Sequence, residues 1–350
     1  MQIRLGIVGF GFMGHCDADM IATFPDEEIK LAAVADIVPS QMEDAPEGVE
    51  TYNSIEEMLE KADINTVMIS TPNPSHLEMV EKAAAAGKHI ICEKPAAMSV
   101  SQFDRMVEVT KKAGVLFTIH QQRRFDPDYN VMKSVYDQGL VGKPYVIKSQ
   151  LYGFNGNMHD WHVFPEMGGG MLYDWGVHLI DQILNMVDAP LVSLYADLRN
   201  IINRDVDDYF NILMKFGNDI TAEIELGTYY LTPKRGWFLG GDKGSAYIDG
   251  WDCEGKIVRT TRLLTNVPGK ITMTAAGPTR SFGPAAPGLL TEEELPSVNV
   301  SHRNYFEHFI KAFNGEEELF VKPHQVRRVL CVMDAVRESA RTGEAIKLEV

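Results

Sequence analysis

Three glycines and an aspartate near the start of the chain have the types and spacing to hold a dinucleotide. Gly9-Phe10-Gly11-Phe12-Met13-Gly14 is a G-x-G-x-x-G pattern that follows an apolar run and opens a helical one, the context in which such a pattern carries meaning. The first two glycines permit a tight turn and close backbone approach to a pyrophosphate, and Gly14 lets the helix pack near the strand. The N–H groups that open the helix, around Phe12 and Met13, then present a partial positive charge to the phosphates. Asp36 ends the next apolar run, about 20 residues beyond the glycines, where a carboxylate accepts hydrogen bonds from an adenosine ribose and repels a 2'-phosphate. Ile37 and Val38 follow it and offer no arginine, so the expected cofactor is NAD rather than NADP. The plainer readings are a glycine-rich turn without a ligand and a turn carboxylate at a strand end.

Positioning these residues requires a parallel sheet. Residues 2–9 read as a buried strand, 13–24 as a helix stopped by Pro25, and 29–35 as a second strand, which completes a βαβ unit. The rhythm repeats with a strand at 64–70, a helix at 75–86, a strand at 89–92, a helix at 100–113 and a strand at 115–120. Such alternation predicts an α/β domain, a doubly wound parallel sheet of the Rossmann kind, over residues 1–122. Ligands of such sheets bind beyond the carboxyl ends of the strands. Two segments fall there: Ser70-Thr71-Pro72-Asn73-Pro74-Ser75-His76 and Glu93-Lys94-Pro95. Ser75 can also be read as a helix cap with His76 on the first turn. Lys94 can hold a substrate oxygen beside the cofactor and stabilise negative charge growing on it.

Beyond residue 123 the pattern changes to an α+β domain running to residue 350. Helices are expected at 127–138 and 171–186, strands at 145–152, 191–198, 209–216 and 220–226, and two closing helices at 302–313 and 324–341. The strands predict a large, open, mainly antiparallel sheet. Residues 268–296, rich in Pro, Gly, Ala and Thr, read as a long excursion or lid.

Composition narrows the function classes. A formal net charge of −16 over 350 residues repels nucleic-acid backbones and anionic lipids. The most basic cluster, Gln121-Gln122-Arg123-Arg124, is short and reads as part of a site or a linker. Cys16, Cys92, Cys253 and Cys331 form no C-x-x-C pair, so neither a zinc ribbon nor a disulfide framework is expected. No apolar run is long enough to span a membrane. The expectation is a reduced, cytoplasmic protein with a small-molecule substrate, no nucleic-acid partner, no membrane partner and no metal.

Taken together, Gly9 to Gly14, Thr71-Pro72-Asn73 with His76, Glu93-Lys94-Pro95, and Gly168-Gly169-Gly170-Met171-Leu172-Tyr173-Asp174-Trp175-Gly176-Val177-His178 resemble the Gfo/Idh/MocA oxidoreductases, which include inositol dehydrogenases and glucose-fructose oxidoreductase. The resemblance covers nearly the whole length. It implies hydride transfer between NAD and a hydroxyl carbon of a sugar, polyol or sugar derivative, in a homodimer or homotetramer. It further implies that Lys94, Asp174 and His178 line the active site. The chemistry of the residues agrees: an imidazole suits transfer of the hydroxyl proton, and Asp174, four residues earlier on a probable helix, shares its face and can orient it. A histidine on an apolar helix is otherwise a core residue. Where many such proteins have Trp-Arg before the glycine cluster, this chain has Trp161-His162, and histidine cannot form the guanidinium fork. The expected substrate wall comprises His120, Arg123, Tyr152, Asn155, His159, Trp161 and His162 with Lys94, Asp174 and His178.

Three alternatives stay open at this level. His159, His162, Asp174 and His178 could bind zinc. Similar proteins include hydrolases that cleave glycosides by transient oxidation and elimination with retained NAD. A cofactor-binding regulator without chemistry is the third, and the presence of Lys94, Asp174 and His178 argues against it.

Overall fold

Short runs rich in Ile, Val and Leu form strands that are buried on both faces. The computed structural model describes residues 1–153, 158–260, 271–280 and 287–350. Strands β1 (Ile3–Val8), β2 (Ile29–Ala35), β3 (Glu50–Tyr52), β4 (Thr66–Ile69), β5 (His89–Cys92) and β6 (Phe117–Ile119) make a sheet in the order β3-β2-β1-β4-β5-β6. All its neighbours are parallel. Parallel pairing needs crossovers, supplied among others by helices α1 (Phe12–Ile21), α2 (Ile55–Lys61), α3 (His76–Ala85) and α4 (Val100–Ala113). Ser54 and Ser99 accept the N–H of Glu57 and Gln102 and so start α2 and α4, and Gly114 at φ 69° ends α4; both devices satisfy terminal backbone groups. The strand order reverses between β1 and β4, and the crevice beyond their carboxyl ends is where this topology places a ligand.

After α5 (Pro127–Asp137) the chain enters β7 (Pro144–Tyr152) and later α6 (Val177–Met186), followed by β8 (Leu191–Arg199), β9 (Tyr209–Phe216) and β10 (Thr221–Gly227). Then come β11 (Trp237–Gly241), β12 (Gly244–Ile248), β13 (Gly255–Thr260), the hairpin β14 (Ile271–Thr274) and β15 (Gly277–Arg280), and β16 (Leu290–Glu293). Helices α7 (Arg303–Phe313) and α8 (Pro323–Thr342) and strand β17 (Ile346–Lys347) close the chain. Nine strands form the second sheet in the order β16-β13-β12-β11-β7-β10-β9-β8-β17. Among the described residues only its β7–β10 pair is parallel, so the expected open, mainly antiparallel sheet is present. Alternation assigns its faces: Phe210, Ile212, Met214 and Phe216 of β9 are buried on the side where α5, α6 and α8 pack. Tyr195 and Leu213, paired across β8 and β9, are exposed on the other side.

The two sheets are stitched together behind the site. Helix α8 packs on β8 and α6 of the second sheet and on α4 and β6 of the first. Thr118 Oγ1 donates to the Val321 carbonyl at 2.9 Å, and Tyr305 Oη donates to the Ile119 carbonyl at 3.0 Å. Arg124 forks onto Asp181 with two bonds of 2.7 Å, both residues being buried, and this ties the end of the first sheet to α6.

Three differences from the sequence reading have physical causes. The edge strand β3 buries almost nothing, and α2, with Ile55, Met58 and Leu59 on one face, is only seven residues long, too short for its period to stand out. The helix expected over 171–186 is a π-helical turn, Leu172–Gly176, followed by α6. Of the excursion expected over 268–296, residues 268–270 and 281–286 lie outside the described residues, and the remainder holds β14, β15 and β16.

Candidate active site

The glycines of the first turn divide into two jobs. Gly9 has φ +86°, and a Cβ there would lie 2.6 Å from the backbone of Ser70 at the end of β4; a Cβ on Gly14 would lie 2.5 Å from the Gly9 carbonyl oxygen. Those two positions let backbone meet backbone. A Cβ on Gly11 would meet nothing within 4 Å, so the smallness of Gly11 serves the space beside it. Gly11 precedes α1, whose N-terminus has no side-chain cap, and the buried Ser70 Oγ nearby has no hydrogen-bond partner among the described residues. Unpaired donors and an open cradle fit a pyrophosphate. Phe12 is exposed and Met13 half-buried at this helix start.

Asp36 spans the crevice. Its Oδ2 accepts the Phe10 N–H and its Oδ1 accepts the Val38 N–H, both at 2.8 Å. It therefore braces the glycine turn, while each oxygen keeps a lone pair for a ribose hydroxyl. In the 70–76 segment Asn73 and His76 are buried. His76 is fully buried, with Nε2 2.8 Å from the Thr71 carbonyl and Nδ1 3.1 Å from that of Pro95, so it clamps two strand-end loops together. Burial holds its pKa below the ordinary value. Asn73 donates to the Met167 carbonyl at 3.1 Å, Thr71 accepts from the Ser75 hydroxyl at 2.7 Å, and Pro72 is exposed. Asn73 and His76 thus support the crevice from behind.

Lys94 reaches out from the end of β5. Its Nζ donates to Asp174 Oδ1 at 2.7 Å and to the Asp174 carbonyl at 3.0 Å. Burial works against the Asp174 charge, but the Lys94 ammonium, with His162 and Arg123, holds its pKa below the usual carboxylate value. The Asp174 turn is itself pinned by Asp207, whose Oδ2 accepts the Leu172 N–H at 2.7 Å and whose carbonyl accepts that of Met171 at 2.9 Å.

His178 departs from the sequence expectation. Its Nδ1 is 3.1 Å from Gln121 Oε1, and Asp174 faces Lys94 instead of orienting the imidazole. The π turn separates the two residues from regular helical spacing, and a nearer cation claims the carboxylate. His178 is 2% exposed. Burial, then Lys94, Arg123, His120 and His302, push its pKa well below the model-peptide 6.5, so the imidazole is neutral at neutral pH.

The remaining substrate candidates scatter. Tyr152 lines a cleft with His178, Arg123, Asp126, Asp128 and Trp175, closed by Trp237 and Trp251. Arg123 lies over the Trp175 ring at 4.1 Å and pairs with Asp126 at 3.1 Å. Burial, then Asp126, raise the Asp128 pKa to about 6. His162 stacks on Trp161 at 3.8 Å, and its Nε2 lies 3.7 Å from Asp174 Oδ2. His159 is exposed beside Asp160, and Asn155 lies outside the described residues. His120 is no cleft residue: it is buried, with Nδ1 2.5 Å from Glu93 Oε1 and 3.7 Å from Asp17 Oδ1. The four residues of the zinc alternative are not gathered. Among the described residues, the grouping close enough for a metal is Asp17, Glu93 and His120. Sequence reading missed Gln121, Asp126, Asp128, Trp175, Trp237 and Trp251. Gln121 and Trp175 stood inside quoted motifs, whereas nothing local marked the other four.

The sheet order and the turn between β1 and α1 define a dinucleotide-binding Rossmann domain. The description "Oxidoreductase family, NAD-binding Rossmann fold" matches residues 3–121, and "GFO/IDH/MocA C-terminal domain" matches residues 129–247. The chain belongs to the Gfo/Idh/MocA family of oxidoreductases. It is similar to the crystal structure of an NAD-binding protein from Listeria innocua, with 31% identity, a TM-score of 0.88, and coverage of 99% of this chain and 97% of that one. Relatives include scyllo-inositol 2-dehydrogenase (NADP(+)) IolW of Bacillus subtilis, 24% identical over 99% of this chain and 96% of that protein. Myo-inositol 2-dehydrogenase of Thermotoga maritima is 27% identical over 58% of this chain and 60% of that protein. Among the described residues, no helix is long and apolar enough to cross a membrane.

Proposed function

We propose that this oxidoreductase transfers a hydride between NAD and a hydroxyl-bearing carbon of a sugar, polyol or sugar derivative. The observation that carries this reading is a neutral, buried imidazole, His178, lining a tryptophan- and carboxylate-walled cleft beside the Lys94–Asp174 pair. When bound, NAD supplies the hydride acceptor. His178 takes the hydroxyl proton, which a neutral imidazole can accept. Lys94 holds the same oxygen and stabilises its developing charge, and Asp174 fixes the ammonium in place. Trp175 and Trp251 offer apolar faces to a ring, while Asp126 and Asp128 accept hydroxyl hydrogen bonds. Tyr152 and Arg123 complete the wall, and His162, stacked on Trp161, approaches Asp174.

Residues 1–122 hold the cofactor in this reading, and residues 123–350 supply the substrate wall and subunit contacts. Two relatives named as inositol 2-dehydrogenases support the substrate class. One of them is named for NADP, but the Asp36 carboxylate favours NAD here. The open face of the second sheet, with Tyr195 and Leu213, is the surface we assign to a homodimer or homotetramer.

A screen of NAD reduction against inositols, aldoses, sugar acids and glycosides tests the reading. Stoichiometric NADH from an inositol or aldose is expected. Glycoside cleavage without net NADH, or NADH from none of them, would overturn it.

A further inference from the structure

We infer that Gln121 sets which nitrogen of His178 carries the proton, leaving Nε2 as the proton-accepting atom of the cleft. The inference rests on the acid–base role proposed above for His178. Gln121 follows β6, is 1% exposed and has its N–H tied to the Ile119 carbonyl at 2.8 Å. Its position is therefore fixed by the first sheet. Its Oε1 sits 3.1 Å from His178 Nδ1, and no other side chain or carbonyl among the described residues hydrogen-bonds the imidazole.

A neutral imidazole has one N–H, and an amide oxygen can only accept. Nδ1 therefore donates to Gln121, and the lone pair is on Nε2. The amide nitrogen of Gln121 is buried without a partner among the described residues. The contact of Oε1 with His178 Nδ1 is thus the side-chain hydrogen bond that Gln121 makes among the described residues.

The charges around His178 explain why this partner is an amide. The charges that bear most on it are Lys94, Arg123, His120 and His302, all basic; the Asp174 carboxylate is held by Lys94, and Asp126 and Asp128, which line the same cleft, are tied to Arg123, His302 and Trp237. A carboxylate at position 121 would orient the ring equally well but would also stabilise the imidazolium. The amide orients without charging, so His178 stays ready to receive a proton.

Nitrogen-15 NMR of histidine-labelled, cofactor-free protein reads the tautomer directly, with His178 assigned by its loss in His178→Asn. A protonated Nδ1 and an unprotonated Nε2 are expected; a proton on Nε2 would overturn the inference. Because no turnover is needed, this result stands apart from whether the hydride-transfer reading holds. Gln121→Glu should move the acid limb of kcat to higher pH by about one unit or more, the direction a neighbouring carboxylate imposes. Gln121→Leu should lower kcat by about tenfold or more, with NAD affinity unchanged and Nε2–H appearing in the spectrum. An unmoved limb in Gln121→Glu, or a Gln121→Leu variant with wild-type kcat and tautomer, would contradict the assignment.

Discussion

His120 and His178 are both buried, 3% and 2% exposed, yet their surroundings give them opposite characters. His120 sits behind the strand ends against Glu93 and Asp17. Burial opposes its charge, but Asp17 and Glu93 prevail and raise its pKa. His178, at the start of α6, is hydrogen-bonded to an amide, and burial, then the surrounding cations, lower its pKa. The same side chain at the same depth becomes a strut pushed toward its charged form in one place and a neutral base in the other. Burial alone therefore assigns no role; the sign of the neighbouring charge does.

The sharpest way to break this contrast is to remove each residue from its setting. His178→Asn should lower kcat by roughly a hundredfold or more, the usual worth of a positioned acid–base group. Isothermal titration should show NAD affinity nearly unchanged. Lys94→Ala should also depress turnover and, by leaving Asp174 partly buried and unpaired, destabilise the protein by about 3 kcal/mol, measurable by urea unfolding. Adding Asp174→Ala should restore stability but not turnover. If the double variant stays as unstable as the single one, the pair does not act as described.

The strut should show in the pH dependence of stability. Burial, reinforced by Glu93 and opposed by His120, pushes the Asp17 pKa up to about 8. The folded state then keeps a proton that the unfolded chain releases near 3.8. Stability linked to Asp17 is fully present below that value and is lost as pH rises toward 8. His120, also raised, has the same sign: its contribution is present below 6.5 and is lost as pH rises through its folded value. Thermal unfolding midpoints should fall from pH 6 to about 8, and Asp17→Asn should flatten the fall. Asp36→Ala carries a smaller effect, narrowing the preference for NAD over NADP by about tenfold, since one hydrogen-bonded charge is worth about 1.5–3 kcal/mol. Fluorescence titration with both cofactors reads it.

How much of this was legible in the sequence follows from locality. The glycine turn and the strands flanking it were readable because the motif, the buried runs and Asp36 all act through neighbouring backbone. Lys94 was placed correctly at a strand end, but its partner was not, because the Lys94–Asp174 pair depends on two distant segments meeting. Asp174 and His178 looked like helical neighbours, and only the π turn shows why they face different partners. Gln121 gave a weaker signal: its role exists only because β6 ends beside α6. The tryptophans of β11 and the turn after β12 were unreadable as a cleft, since the short, glycine-bearing runs WFLGG and GSAYI hid their strands.

The central claim, that His178 is neutral at working pH and takes the proton, is tested most directly by the pH dependence of kcat for substrate oxidation. Because its folded pKa lies below 6.5, the rate should be level at neutral pH and decline only on the acid side, and His178→Asn should abolish that limb. A limb centred at or above 6.5, or one that persists unchanged in His178→Asn, would contradict the claim.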